Sequence, residues 1–354
     1  MSGQDISTAL QQQVMDASHH ATPLTISGGG SKSFLGRNSD ALRIDVSPHR
    51  GIVEYDPREL VLTARSGTTL QEIETALTEA GQMLAFEPPH FGTGATLGGT
   101  IACALSGPRR PYSGSARDFV LGCKLLNGRG EILGFGGQVM KNVAGYDVSR
   151  LMAGAHGTLG ILLEISLKVL PRPAASITVA RECSPTEAIA SMSGLLSKPL
   201  PVDGACYHGD HCYVRLSGSA QAVKEARNKI PGDVMPEADA FWHALREHAL
   251  PFFRHSSTLY RIMVKPATPQ LPIEGSWLLD WGGAQRWLYS DEDGAAIRHS
   301  VELAGGHVSV FRNDARHDET CQPLPAPLLA IHRRLKASFD PDNIFNRGRL
   351  YARL

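Results

Sequence analysis

The chain has 354 residues, which is enough for one large domain or for two of medium size. Its hydrophobic fraction of 42% and charged fraction of 20% are typical of a globular protein that buries a substantial core. The 35 Lys and Arg residues equal the 35 Asp and Glu residues in number, so the formal net charge is zero. This balance argues against a nucleic-acid partner, because affinity for a polyanion is built largely from excess basic residues.

The sequence carries no sign of export or of membrane insertion. Residues 1–13 lack the basic segment and apolar stretch of a secretory signal, and no apolar run approaches the roughly 20 residues of a membrane-spanning helix. The six cysteines are scattered and form no C-x-x-C pair. They therefore predict reduced thiols in a cytoplasmic protein, with no metal site and no iron–sulfur cluster in this chain.

The first part of the chain is predicted to form one amphipathic helix and four short strands. The helix runs from Asp5, its N-cap, to His19, and its inward face is formed by Ile6, Leu10, Val14 and Ala17. The strands are bounded by turn residues and are predicted at Leu24–Ile26, Leu42–Val46, Gly51–Tyr55 and Leu60–Ala64.

A capping box from Thr69 to Glu72 predicts the start of a second helix, which Gly81 ends. The inward face of this helix is predicted to be Leu70, Ile73, Leu77 and Ala80. Residues 87–114, which follow, are dense in Gly and Pro but contain apolar patches at Leu97 and at 101–105. A loop of this length is usually functional or disordered, and the apolar patches favour an ordered loop that wraps a ligand.

Two further strands, Val120–Leu126 and Glu131–Phe135, flank the hairpin signal Asn127-Gly128. A third strand is predicted at Leu159–Leu170, and the pair of prolines in Pro171-Arg172-Pro173 closes it. Because proline ends regular structure, this pair predicts the boundary between a first domain, residues 1–171, and a second, residues 172–324. Residues 325–354 are predicted to return to the first domain through an amphipathic helix, Pro325–Ser338, with its apolar positions at Leu328, Leu329, Ile331 and Leu335.

The second domain shows a β-α-β-β-α series followed by more of the same pattern. This series is typical of an antiparallel sheet with helices on one face. The predicted strands are Ser176–Glu182, Gly204–Tyr207, Cys212–Leu216, Leu259–Val264, Trp277–Trp281, Arg286–Tyr289 and His307–Phe311. The predicted helices are Thr186–Leu196, Ala220–Lys229 and Glu292–Ala304.

A glycine-rich turn follows the first strand and is the first candidate binding element. Its residues are Ser27, Gly28, Gly29, Gly30, Ser31 and Lys32. Several consecutive backbone N–H groups without bulky side chains suit a pyrophosphate, and Lys32 adds positive charge. A purely structural turn between two strands is the alternative interpretation. The pattern is neither G-x-G-x-x-G nor a P-loop, so a nucleotide site of either kind is not expected.

Two more glycine-rich elements occur in the same half of the chain. They contain Thr96, Leu97, Gly98 and Gly99, and then Gly157, Thr158, Gly160 and Ile161. Taken in this order, the three elements resemble the FAD-binding domain of the vanillyl-alcohol-oxidase superfamily, the PCMH type, to which D-lactate dehydrogenases and glycolate oxidase belong. The resemblance implies that the first turn and the T-x-G-G segment wrap the flavin diphosphate. It also implies that the G-T-L-G-I run lies along the dinucleotide.

The resemblance is closest to the FAD-binding E subunits of bacterial glycolate oxidases (glycolate dehydrogenases), and it extends over nearly the full length. The matching stretches are Gly107–Gly122, Gly137–Asp147, Trp281–Trp287 and Phe345–Leu350. It implies an α+β fold in which a two-subdomain PCMH-type FAD-binding domain is joined to a cap domain with an antiparallel sheet. It adds four candidate FAD-binding residues: Gly107, Gly114, Ser115 and Asp118.

The chain departs from this superfamily in two places. Members that hold FAD covalently carry a histidine in the first loop; residues 28–32 contain none, which predicts noncovalent FAD. Longer catalytic members carry H-x-G-D-G-N-x-H in the cap domain, and the nearest string here, Tyr207–His211, lies where a hairpin turn is predicted. A catalytic base therefore stays unknown. His90 is better explained by loop packing, and His156 occupies a position that is often acidic in the superfamily.

The resemblance implies an FAD-dependent oxidoreductase acting on the CH–OH group of 2-hydroxy acids, as one subunit of a complex that converts glycolate to glyoxylate. The implied partners are a larger homologous FAD-binding subunit and an iron–sulfur subunit, with contact to the inner face of the cell membrane through the complex. Two alternatives remain open. One is a self-sufficient FAD-dependent 2-hydroxy-acid dehydrogenase, and the other is a non-catalytic assembly subunit of the complex.

Overall fold

The computed structural model describes residues 3–137, 146–313 and 319–354. Within these ranges the helices, in chain order, are α1 Ser7–His19, α2 Leu70–Glu79, α3 Leu97–Cys103, α4 Arg110–Ser113, α5 Ala116–Phe119, α6 Val148–Met152, α7 Pro185–Leu195, α8 Ala220–Arg227, α9 Ala238–Arg246, α10 Gly294–Leu303 and α11 Ala326–Phe339. The strands of the first half are β1 Leu24–Ser27, β2 Leu42–Asp45, β3 Ile52–Asp56, β4 Val61–Arg65, β5 Gln82–Met83, β6 Val120–Leu126, β7 Ile132–Gly136, β8 Ile161–Lys168 and β9 Leu170–Pro171. Those of the second half are β10 Ala175–Glu182, β11 Val202–His208, β12 His211–Gly218, β13 Asp233–Val234, β14 Leu259–Met263, β15 Ser276–Asp280, β16 Gln285–Tyr289 and β17 His307–Arg312.

Helix α1 packs beside a small parallel sheet formed by β1 and β2. Its buried residues are Leu10, Val14 and Ala17, as the periodicity predicts. The predicted N-cap is wrong by one residue, because Ile6 occupies that position without a capping side chain. The Asp5 carboxylate instead accepts a hydrogen bond of 2.9 Å from the N–H of Ser7 at the start of the helix.

Five antiparallel strands form the second sheet of the first half, in the order β3-β4-β8-β6-β7. Helix α2 packs against the same core and is capped by Thr69, whose Oγ1 accepts from the N–H of Glu72. The predicted inward face is confirmed for Leu70, Ile73 and Leu77 and is wrong for Ala80. Ala80 is exposed because it is the C-cap, beyond the last turn that faces the core.

The glycine-rich segment 87–114 is ordered, but it is more structured than a loop. It contains α3 and α4, and α5 follows directly. Helix α3 begins at an N-cap, Thr96, whose Oγ1 accepts from the N–H of Gly99. It is short and contains two glycines of low helix propensity, so its tertiary contacts stabilise it more than its own sequence does.

The second half is built on an eight-stranded antiparallel sheet in the order β13-β10-β12-β11-β15-β16-β14-β17. Residues alternate between its two faces, as in β11, where Ala205 and Tyr207 join one core cluster and Cys206 another. Helices α7, α8 and α10 cover the first face. The opposite face packs against the first half through Leu35 and Leu105, and also against α9, which the sequence reasoning did not predict.

Helix α11 returns to the first half, where Leu335 and Phe339 pack against its main core. The predicted apolar stripe is only partly buried, since Leu328 is 41% exposed and Ile331 50% exposed. None of the helices in the described ranges is long and apolar enough to cross a bilayer. The matching stretch Gly137–Asp147 lies mostly outside the described residues.

Candidate functional site

A deep cavity lies between three main segments of the first half and the C-terminal segment. The first turn, the N-terminus of α3, the loop before β8 and residues Asn346 and Arg349 line it. It encloses about 1050 Å³, counting the part that opens to solvent. Its lining comes from parts of the chain that lie far apart in sequence, from Thr25 to Arg349.

The first turn offers a row of free backbone donors to this cavity. The N–H groups of Gly28, Gly29, Gly30 and Ser31 donate to no acceptor among the described residues. Consecutive unpaired N–H groups form a concave nest that binds an anion such as a phosphate. The structure thus supports the ligand-binding interpretation of this turn over a purely structural one.

Two glycines of the turn are required by close contacts with Gly94 and Thr96. A Cβ atom added to Gly28 would lie 2.5 Å from Oγ1 of Thr96. A Cβ atom added to Gly29 would overlap the backbone carbonyl of Gly94. Any other residue at Gly29 must therefore push two backbone segments apart, because a carbonyl cannot rotate away as a side chain can.

Lys32 also lines the cavity and is only 7% exposed. Its Nζ lies 3.3 Å from the carbonyl oxygen of His90 and 5.9 Å from the centre of the Phe91 ring. Burial lowers the pKa of Lys32, and Cys103 and Glu247 partly offset this effect. A buried ammonium with few partners gains stability from a bound anion.

The predicted T-x-G-G segment forms the start of α3. Thr96, Gly98 and Gly99 line the cavity, whereas Leu97 points into the hydrophobic core and is fully buried there. A Cβ atom on Gly98 would lie 2.6 Å from Cβ of Ser66. This glycine lets α3 approach the end of β4, so the cavity wall is made of backbone.

The loop before β8 supplies the wall opposite the first turn. Gly157, Gly160 and Ile161 line the cavity. Gly157 has a φ of 71°, and an added Cβ would lie 2.7 Å from Nδ2 of Asn346. Thr158 does not line the cavity, because its Oγ1 donates to the carbonyl of Ala155.

Asn346 ties three parts of the cavity wall together. Its Oδ1 accepts from the N–H of Ile26, and its Nδ2 donates to the carbonyl of His156. Arg349 reaches the first turn, donating to the carbonyls of Ser33 and Arg37. Both residues belong to the matching stretch Phe345–Leu350, but their sequence alone did not predict a place in the site. Only the return of the C-terminus brings them there.

The remaining predicted FAD-binding residues lie elsewhere. Gly107 accepts a hydrogen bond from Nε1 of Trp281, and it lines a second, smaller cavity. Ser115 and Asp118 form the capping box of α5, and Gly114 precedes it at a φ of 110°. The structure gives Gly114, Ser115 and Asp118 a role in the local turn and does not place them on the wall of the large cavity, and their contact with FAD stays a prediction.

Other cavity-lining residues that were not predicted to belong to the site include Ser66, Ala102, Cys103 and His156. His156 has a φ of 50°, and burial followed by the charge of Arg349 lowers its pKa to about 4. Its imidazole is therefore neutral near pH 7. Cys103 is a protonated thiol, because burial raises its pKa.

The other histidines considered from the sequence lie outside this cavity. His208 is at the end of β11 in a tight hairpin, where Gly209 and Asp210 have positive φ angles of 57° and 60°. This confirms the predicted turn. His90 packs in its loop with Nε2 3.2 Å from the Glu74 carboxylate. The described residues contain no cluster of metal-ligating side chains.

The anion nest of the first turn, the glycines that line the cavity and the sheets around them define a PCMH-type FAD-binding protein of α+β class. The residues present fit this cofactor. In agreement, residues 7–136 match the family model described as the FAD binding domain. The chain is 50% identical to glycolate oxidase subunit GlcE of Escherichia coli K12 over 350 residues, 99% of each chain. It therefore belongs to the GlcE family of FAD-dependent oxidoreductases.

Other relatives share mainly the first half. Glycolate oxidase subunit GlcD of Bacillus subtilis is 31% identical over 44% of this chain and 33% of its own length. A D-lactate dehydrogenase of Anaerostipes hadrus is 32% identical over 44% of this chain and 33% of its own length. A solved structure of alkyldihydroxyacetonephosphate synthase shares the fold over 95% of this chain and 74% of its own, with 15% identity and a TM-score of 0.68.

Proposed function

We propose that the protein is the FAD-binding subunit of a multi-subunit glycolate oxidase or dehydrogenase that converts glycolate to glyoxylate. The observation that carries this proposal is the 50% identity to a glycolate oxidase subunit over 99% of both chains. The FAD cavity supports it, because the chain retains the elements that such a subunit needs for its cofactor.

When bound, FAD supplies the capacity to accept a hydride from a hydroxy acid. The chain's own residues bind and orient it. The first turn would hold the diphosphate with its free N–H groups, and Lys32, a buried positive charge, would lie beside it. Asn346 and Arg349 close the cavity from the C-terminal side, which keeps the walls at a fixed distance.

The domain boundary at Pro171-Arg172-Pro173 belongs to the same proposal. Every strand before it pairs with strands of the first half, and β10 after it pairs within the eight-stranded sheet. We place the FAD-binding domain at residues 1–171, the cap domain at 172–324 and the returning segment at 325–354. If this boundary is correct, we expect limited proteolysis near residue 172 to yield two stable fragments.

The partners are proposed to be a larger homologous FAD-binding subunit and an iron–sulfur subunit, in the cytoplasm or at the inner face of the cell membrane. A reduced flavin must pass its electrons on. The six cysteines of this chain are separate free thiols with no C-x-x-C pair, so the iron–sulfur ligands belong to another subunit.

The isolated chain is therefore expected to show negligible transfer of electrons from glycolate to a dye. Activity is expected only after the larger flavin subunit and the iron–sulfur subunit are added, and a tag on this chain should bring down both. The measurement is dye reduction by the chain alone and by the co-expressed complex. Full activity of a monodisperse monomer would overturn the proposal and favour the self-sufficient dehydrogenase. A colourless chain that cannot be loaded with FAD would favour the assembly subunit.

FAD is expected to be bound noncovalently, because residues 28–32 contain no histidine. One cysteine and one histidine, Cys103 and His156, line the described cavity wall, and the thiol of Cys103 is protonated at neutral pH. Acid precipitation should release yellow flavin into the supernatant. Flavin that stays in the pellet would contradict the prediction, and Cys103→Ser and His156→Gln would then identify the attachment point.

A further inference from the structure

A second cavity of about 310 Å³, counting its open part, lies between the eight-stranded sheet and residues 89–108. No described residue lines both cavities. The two cavities are nevertheless close neighbours. Phe91 lines the second, and Lys32 of the first holds its Nζ 5.9 Å from the centre of the Phe91 ring. The second cavity is too small for a dinucleotide, but it lies next to the place where one binds.

Arg261, on β14, is the cationic group of this second cavity. Its Nε donates to Oε1 of Gln285 at 2.7 Å, and its two Nη groups donate to no acceptor among the described residues. The guanidinium stacks on Trp281 at 5.2 Å from the ring centre, and Arg110 stacks on the same ring at 4.4 Å. Burial, followed by the charge of Arg110, lowers the pKa of Arg261 to about 10, so it is still charged at neutral pH.

An unpaired guanidinium fork in an aromatic cavity is a selective site for a carboxylate. The two parallel N–H donors of the fork match the two oxygens of a carboxylate, and such charge-assisted pairs are stronger than neutral hydrogen bonds. Trp287 and Phe311 line the rest of the cavity with apolar surface. A bound anion would also relieve the repulsion between Arg261 and Arg110.

Polar groups that suit a hydroxyl lie in the same cavity. Asp280 accepts from the N–H of Trp281 at 2.7 Å and from Nε2 of Gln285 at 3.3 Å. Burial raises the pKa of Asp280 to about 7, which weakens its repulsion of an anion near neutral pH. His248 stacks on Phe253 at 3.8 Å, and its Nδ1 is buried with no hydrogen-bond partner among the described residues.

We propose that this second cavity binds a small 2-hydroxy monocarboxylate, with its carboxylate on the fork of Arg261 and its hydroxyl against His248 and Asp280. The inference rests on the proposed function for the choice of a hydroxy acid. The carboxylate site itself follows from the unpaired Arg261. It gives the isolated chain a substrate site of its own, beside the FAD cavity.

Calorimetric titration of the FAD-loaded chain with glycolate, without an electron acceptor, tests the proposal. Arg261→Gln should weaken glycolate binding at least about 10-fold, since it removes a charge-assisted pair. Arg261→Lys should give an intermediate loss, because it keeps the charge and loses the fork. If Arg261→Gln does not fold, Arg261→Lys serves as the test in its place. Arg254→Gln, at an exposed position outside both cavities, is the charge-matched control and should bind like the unaltered protein.

Acetate, which lacks the hydroxyl, should bind more weakly than glycolate. Equal binding of the two acids would overturn the roles of His248 and Asp280. Equal glycolate affinity in Arg261→Gln and Arg254→Gln, or no binding by a chain with full flavin content, would overturn the whole inference. Failure of the carboxylate site can be distinguished from failure of the proposed function. The proposed function is tested separately, by the flavin content of the chain and by the activity of the three-subunit complex.

Discussion

Gly29→Asp is expected to purify with almost no FAD. The new Cβ atom would overlap the carbonyl of Gly94, and the carboxylate would add negative charge to the turn whose free N–H groups are proposed to bind the diphosphate. Both effects oppose binding, one by steric overlap and one by like charge. We expect the dissociation constant for FAD to rise at least about 10-fold, equivalent to about 1.4 kcal/mol or more. The measurement is flavin content after purification, followed by fluorescence titration with FAD.

Two further variants separate the steric effect from the charge effect. Gly29→Ala introduces only the Cβ atom, so it should show a smaller loss than Gly29→Asp. Gly194→Ala, in α7, is the control, because a Cβ atom there meets nothing within 4 Å and the residue lies far along the chain from the FAD cavity. Normal flavin content in Gly29→Asp would show that the first turn does not hold the diphosphate.

Lys336→Met is expected to lower the free energy of unfolding by about 3–5 kcal/mol, the usual result of removing one partner from a buried ion pair. Nζ of Lys336 donates to the carboxylate of Asp340 and to the carbonyls of Thr158 and Phe345, all within 2.7 Å. Lys336 and Asp340 are 7% and 1% exposed, so the substitution would leave a buried charge without its partner. Urea unfolding followed by circular dichroism measures the change.

The same substitution should also weaken FAD binding, because Lys336 joins the loop before β8 to the segment that carries Asn346. The double variant Lys336→Met with Asp340→Asn should recover part of the stability. The asparagine removes the buried charge, and its Oδ1 can still accept from one of the two N–H groups, those of Ile344 and Phe345, that donate to the two oxygens of Asp340. Lys224→Met, on the surface of α8, is the control and should stay within about 0.5 kcal/mol of the unaltered protein. A Lys336→Met protein as stable as this control would contradict the role given to the ion pair.

A second buried charge network shows how the two halves are joined. Arg215, on β12, lies 2.9 Å from the carboxylate of Glu87 and 2.8 Å from that of Asp203. Arg109, in the glycine-rich segment, contacts the same two carboxylates. The structure assigns Arg109 to this internal network, whereas Arg110 stacks on Trp281.

The sequence by itself determined the elements whose signal is local. The apolar periodicity of α1 and α2, the Thr69 cap and the hairpin at Gly209 and Asp210 each depend on neighbouring residues, and the structure shows all four. The first turn is also determined by local sequence, because a run of glycines directly indicates a backbone that no side chain covers. The resemblance to FAD-binding E subunits likewise rested on contiguous motifs.

Only the tertiary structure decided which distant residues meet in the sites. Helix α3 was missed because two glycines weaken its own propensity, while the contact of Gly98 with Ser66 holds it in place. Asn346 reaches Ile26 across 320 positions, and Arg261 meets Asp280 and Gln285 through strand pairing in the eight-stranded sheet. Such contacts have no local signal, since sheet register and the return of the C-terminal helix depend on packing of the whole core. For the same reason Gly114 and Asp118, close in sequence to the cavity wall, belong to a capped turn outside it.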